Sequence, residues 1–241
     1  MVDHTVRAFD IELQDLARRI TEMGGIAESM LGRAVEALVK GDLRQAEEVI
    51  GTDAGLDELE REVNDKAILL IARRQPMAVD LRFIASTMKL AGDIERIGDL
   101  AKNIGKRVKA IGVPFHHPSL VTGVTHLGDM AQDRLRQVLD AYARRDLDAA
   151  MEVWRHDDDI DALHNSLFRE LLTYMMEDPR NITFCTHLLF CAKNIERVGD
   201  HCTNIAEIMH YMLTGGAVNQ TRPRAGAVTE VDLAINGDTE S

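Results

Sequence analysis

Six long stretches of helical period, punctuated at matching places in the two halves, constrain this chain more than any other feature. Apolar residues recur three and four apart from about His4 to Lys40 (Phe9, Leu13, Leu16, Ile20), with Gly24-Gly25 as a weak point. They recur again from Leu43 to about Arg74 (Ala46, Val49, Leu56, Val63), and from about Ala78 to Ile111 (Leu81, Ile84, Met88, Ala91). Gly41-Asp42 ends the first stretch and caps the second, and Gln75-Pro76 breaks the second. The cycle then restarts, from about Ser119 to Arg145, on to about Met176, and from about Asn181 to Leu213. Arg145-Asp146-Leu147 repeats the turn at Gly41-Asp42-Leu43, and Asp178-Pro179 repeats the break at Gln75-Pro76.

No segment keeps a strand period, so the chain is all-α. Helices of about thirty residues reach roughly 45 Å, and short turns make sequential helices antiparallel. The expected architecture is two tandem, pseudo-repeated, up-down-up three-helix bundles. Residues 1–112 form the first, 113–118 a hinge rich in Pro and His, 119–214 the second, and 215–241 a disordered tail. Aromatics are only 4% of the chain, and three of its five prolines fall in the hinge and tail, which suits long packed helices.

The halves also share a pattern that costs energy. Ile94-Glu95-Arg96-Ile97-Gly98-Asp99, with Asn103 after it, returns as Ile195-Glu196-Arg197-Val198-Gly199-Asp200, with Asn204 after it. Residues four apart stack on one helix face, so Glu95 and Asp99 repel, as do Glu196 and Asp200, by a few tenths of a kcal/mol. The preceding helices add Asp53 and Asp57 in the first half, Asp157 and Asp161 in the second. If those helices face each other, four carboxylates converge in each repeat, an oxygen-rich set suited to Mg²⁺, Mn²⁺ or iron. Gly98 and Gly199 would let a ligand or another backbone approach, and Asn103 and Asn204 offer an amide carbonyl.

A plainer reading is a solvated face laced with ion pairs to Arg61, Arg96, Lys102 and Arg197. Exposed pairs contribute only about 0–1 kcal/mol each, a weak reason for both halves to keep the same acids. The alternative function is a carboxylate-bridged metalloenzyme of helical-bundle type. Glu207-x-x-His210 and Asp161-x-x-His164 supply the required E-x-x-H-like pairs, but the first half has Lys106, Lys109 and Glu60 in their places.

The formal charge of −12 and the lack of a basic stripe argue against nucleic acid as a partner. Three cysteines, all in the last third, fit free thiols in a reducing compartment. No apolar run opens the chain or spans a bilayer, so a soluble, cytoplasmic protein is expected.

From about Phe9 to Leu213 the chain resembles the phosphate-specific transport system accessory protein PhoU family. The likeness is carried by Arg73-Arg74-Gln75-Pro76 with Asp80-Leu81-Arg82, by Tyr174-Met175-Met176-Glu177-Asp178, and by the two Ile-Glu-Arg-x-Gly-Asp copies. It implies a pair of three-helix bundles with multinuclear sites for divalent or trivalent metal ions such as iron, zinc, manganese or magnesium. The metal pattern falls on Glu95, Asp99, Glu196 and Asp200, with Asp53, Asp57, Asp157 and Asp161 opposite; Asn103 and Asn204 stand where an acid is common. The resemblance further implies a non-enzymatic, homodimeric negative regulator of the phosphate-starvation response. Its expected partners are the ATPase subunit of a phosphate ABC transporter and a sensor histidine kinase.

Overall fold

Asp42 starts the second helix as the sequence requires: its carboxylate accepts from the backbone N–H groups of Arg44 and Gln45, both at 3.0 Å. Such local signals set most boundaries in the computed structural model, which describes residues 2–112 and 118–219. Helix α1 spans Val2–Lys40, α2 Leu43–Arg74, α3 Ala78–Ile111, α4 Pro118–Arg144, α5 Leu147–Arg155, α6 Asp158–Glu177 and α7 Ile182–Thr214, with a 3₁₀ turn at Pro179–Asn181. Among the described residues there is no strand, and no helix is long and apolar enough to cross a membrane. The expected hinge, Pro118 apart, and the tail from residue 220 onward lie outside the described residues.

One expectation needs correction. The fifth helix does not run unbroken to Met176 but turns at His156-Asp157, giving α5 and α6. No proline or glycine causes the break. Instead the His156 Nδ1 atom lies 3.0 Å from the Glu152 carbonyl oxygen, and the run Asp157-Asp158-Asp159 packs like charges together. Breaking the helix there places Asp158, Asp159 and Asp161 in the first turn of α6, where the helix dipole favours acids.

Helices α1, α2 and α3 pack on one another, as do α4, α5, α6 and α7. The repeats then meet like against like, α3 along α7 and α1 along α4, and one hydrophobic cluster runs through both. Gly24 does not weaken α1: it seats Leu139 of α4, and Gly128 of α4 seats Val35 of α1. The turn repeat also holds. Gly41 and Arg145 both adopt left-handed backbone, with φ of 66° and 53°. That conformation costs a non-glycine residue about 1–2 kcal/mol, and the Arg145 guanidinium lies 5.5 Å from the centre of the Phe83 ring. Arg82, from the motif after the Pro76 break, donates from Nε to the Met212 carbonyl at 3.1 Å and ties α3 to the end of α7. At the same seam the Arg107 guanidinium stacks over Phe190, 4.3 Å from its centre. The three cysteines are buried free thiols, and burial pushes Cys191 up to about 12.

Candidate functional site

The acids fall in two grooves, one between α2 and α3, the other between α6 and α7. Glycine sets the register of each. Gly98 lies against Leu56, where a Cβ would overlap Cδ2, and Gly199 lies against Ile160, where a Cβ would come within 2.9 Å of Cδ1. Leu56 stands between Asp53 and Asp57, and Ile160 between Asp157 and Asp161. Each glycine therefore receives the apolar knob of the facing helix and sets that knob's flanking acids against the acids on its own helix. The space is filled by this knob, which corrects the expectation that a ligand or backbone approaches there.

In the first groove the acids do meet, on a lysine. The Lys102 ammonium donates to Asp53 of α2 and, at 2.7 Å, to Asp99 of α3. Asp53 is buried and Lys102 largely so. Burial pulls the ammonium down, but the two carboxylate bonds outweigh it, and Lys102 ends well above its ordinary value. Burial raises Asp99 and the Lys102 bond more than cancels that, so Asp99 is lowered. Glu95 is raised, first by burial and then by the charges of Asp99 and Asp57. Arg96, mostly exposed, lies 3.4 Å from Glu95 and 3.3 Å from Asp99. The ion-pair reading therefore describes part of this groove, though Arg61 pairs with Glu58 instead.

In the second groove Thr203 occupies the place of Lys102 and donates to Asp157 Oδ1 at 2.6 Å. Asp161 is pushed up to about 6 by burial, then by the charges of Glu196, Asp157 and Asp200. Those four carboxylates share one electrostatic field across α6 and α7. Lys193, half exposed, pairs with Glu196 at 2.6 Å from the rim. Burial also lowers the nearby His164 imidazole.

A consequence is measurable. A carboxyl raised from near 4 to about 6 holds its proton in the native state after the unfolded chain has lost it. Stability then falls as pH rises from about 4 to 6. In chelator-treated protein, Asp161→Asn is expected to remove that decline and to gain on the order of 1 kcal/mol at pH 7, after discounting for solvent screening. Urea unfolding at pH 4, 5, 6 and 7 reads it; identical slopes in variant and wild type would refute it.

Other expected groups point elsewhere. Asn204 donates to Asp93 Oδ1 at 3.2 Å, beside His201 Nδ1 at 2.7 Å, so it joins the two repeats rather than extending the ridge. Glu207 accepts from Trp154 Nε1 at 2.9 Å, and the His210 Nδ1 atom lies 3.0 Å from the Gly216 carbonyl oxygen. The Glu207-x-x-His210 pair therefore serves the packing of α5 and the end of α7. Of the two residues that distinguish the grooves, Lys102 is already named by the ion-pair reading of the sequence, whereas Thr203 carries no signal there beyond its place three residues after the repeated acid.

Do the grooves fit a metal? Among the described residues no three His, Cys, Asp or Glu side chains are gathered into a ready ligand set. The second groove offers carboxylate oxygens, the donor type a hard cation takes, but Asp161 is pushed up chiefly by burial, and Lys193 partly offsets the charges of its neighbours. The first groove fits less well, with an ammonium between Asp53 and Asp99.

Fold and grooves together define a class: an internally duplicated helical-bundle protein with an acid-lined groove in each repeat. The PhoU domain model matches residues 20–108 and again 124–209. A Rhizobium meliloti protein, the phosphate-specific transport system accessory protein PhoU homolog, is 54% identical over 92% of this chain and 93% of its own. The Caulobacter vibrioides homolog is 46% identical over 95% of this chain and 100% of its own. The crystal structure of PhoU from Pseudomonas aeruginosa superposes with a TM-score of 0.83 at 37% identity, covering 86% of this chain and all (100%) of that one. The phosphate transport system regulatory protein PhoU from Streptococcus pneumoniae gives 0.80 at 27% identity, over 88% and 100%. The chain belongs to the PhoU family.

Proposed function

We propose that this protein is a non-enzymatic accessory protein of a phosphate-specific transport system and a negative regulator of the phosphate-starvation response. The reading is supported by its 54% identity, over nearly the whole chain, to a relative named as a phosphate-specific transport system accessory protein PhoU homolog. In it the protein acts in the cytoplasm as a homodimer. It couples the ATPase subunit of a phosphate ABC transporter to a sensor histidine kinase. Its acidic surface supports cation capture and association with a basic partner.

The ion-holding set is Asp157, Asp161, Glu196 and Asp200. A divalent cation there would neutralise the repulsion that, after burial, raises Asp161, and would bind α6 to α7 by supplying charge, with no turnover. The chemistry of four carboxylates favours magnesium or manganese, and admits iron.

The test is genetic. Deleting the gene in the native organism is expected to switch on a phosphate-starvation reporter in phosphate-replete medium, and plasmid-borne wild type should switch it off again. A reporter that stays silent in the deletion strain would refute the regulatory reading. Affinity capture of the transporter's ATPase subunit from phosphate-replete cells is the matching test of the coupling; its absence there would refute the relay.

A further inference from the structure

We propose that the groove between α1 and the end of α2 is a docking face for an acidic, apolar-faced helix of a protein partner, with Arg73 as its charge anchor. The proposal rests on the coupling reading above and deepens it by naming the surface that holds the ATPase subunit. The groove encloses about 360 Å³ and is lined by Ile11, Leu69 and Leu70 among others. Ile11 is 65% exposed and Leu69 half-exposed, and large apolar groups left together in water mark association surfaces. Each acid lining the groove already has a cation: Glu12 accepts from Arg74 Nε at 2.9 Å, and Asp15 from Lys66 Nζ at 2.6 Å. Arg73 lines the same groove, is exposed, and has no carboxylate partner among the described residues. One positive charge therefore stands unanswered beside an apolar floor, on a chain whose formal charge is −12.

The turn that follows Arg73 is strained. Gln75 and Ala78 take left-handed backbone, with φ of 47° and 45°, on either side of Pro76-Met77, at about 1–2 kcal/mol each for a non-glycine residue. Strain kept in a turn points to use. Met77, between the two, is 80% exposed, and Val79 and Leu81 just beyond are exposed as well. The equivalent turn of the second repeat folds as the 3₁₀ turn Pro179–Asn181 and contains no left-handed residue. This chemistry defines the occupant. A helix laid in the groove seats apolar residues on Ile11 and Leu69 and aims a carboxylate at Arg73, whose planar guanidinium suits bidentate binding. Met77 suits the edge of the contact, because its thioether stem adapts to the surface it meets. A basic helix would bring like charge to Arg73. An acidic one is repelled by the rest of the chain, so charge fixes where it docks.

The experiment measures binding of the full-length protein to the purified ATPase subunit by biolayer interferometry, with circular dichroism to establish that each variant is folded. Arg73→Glu is expected to weaken binding by roughly tenfold or more, and Arg73→Gln by less, because only the glutamate repels a carboxylate. Met77→Asp should also weaken it. Met176→Asp, at a methionine 85% exposed beside the corresponding turn of the second repeat, should bind as wild type does. Equal effects of Arg73→Gln and Arg73→Glu would overturn the acidic partner, and an equal loss in Met176→Asp would overturn the choice of face. Undiminished binding in the Arg73 and Met77 variants would refute the face while leaving the coupling intact. No binding by wild type would refute the coupling, and this face with it.

Discussion

Trp154→Ala is expected to lower the unfolding free energy by about 3–5 kcal/mol, the range for deleting a buried aromatic ring. Trp154 is 2% exposed and belongs to the core cluster, and its indole N–H donates to Glu207 at 2.9 Å. Removing it leaves a cavity between α5 and α7 together with a part-buried carboxylate that has lost its donor. Helix α5 has only 9 residues, too few to hold itself helical in water, so its order comes from packing. Loosening it also loosens the His156-Asp157 turn that positions the second groove. Trp154→Phe, which keeps most of the volume and loses the hydrogen bond, should cost less than half as much. The chain has one tryptophan, so urea unfolding should be followed by circular dichroism. A midpoint within about 0.5 kcal/mol of wild type would contradict this account of the core.

The second large effect is Gly98→Ala. In an exposed helix interior alanine would gain about 0.5–1 kcal/mol over glycine. At Gly98 the new methyl overlaps Leu56, which is fully buried and must shift within the packed core to admit it. Overpacking of this kind costs about 1–3 kcal/mol, so the net change is a loss, with α2 pushed from α3 at the level of Asp53 and Lys102. Gly92 is the control on the same helix: a Cβ there meets nothing within 4 Å, and Gly92→Ala should stabilise. Combining Gly98→Ala with Leu56→Ala should cost less than the sum of the two changes, because the second makes room for the first. Strict additivity in that cycle would show that the two residues do not interlock.

These two residues also mark where reading the chain stops. The start of α2 at Asp42 and the paired turns at Gly41 and Arg145 follow from capping and backbone preference, which act over a few neighbours. The stacking of Glu95 on Asp99 follows from helical geometry alone. The break at His156-Asp157 is not marked by proline or glycine, because it arises from a side-chain contact and crowded charge. Gly98 carries the opposite lesson. As a lone residue it suggests an opening for a ligand, and only the facing helix shows Leu56 already seated there.

Helix content, the duplication and the eight repeated acids are thus properties of local pattern, since periodicity and capping depend on residues a turn or two apart. Which cation answers those acids depends on distances across helices. Lys102 lies 49 positions from Asp53 along the chain, and the two become a pair only once Leu56 docks on Gly98. Thr203 in the same seat donates a hydroxyl hydrogen bond to Asp157 and brings no charge, so the two grooves differ in what the facing helix supplies.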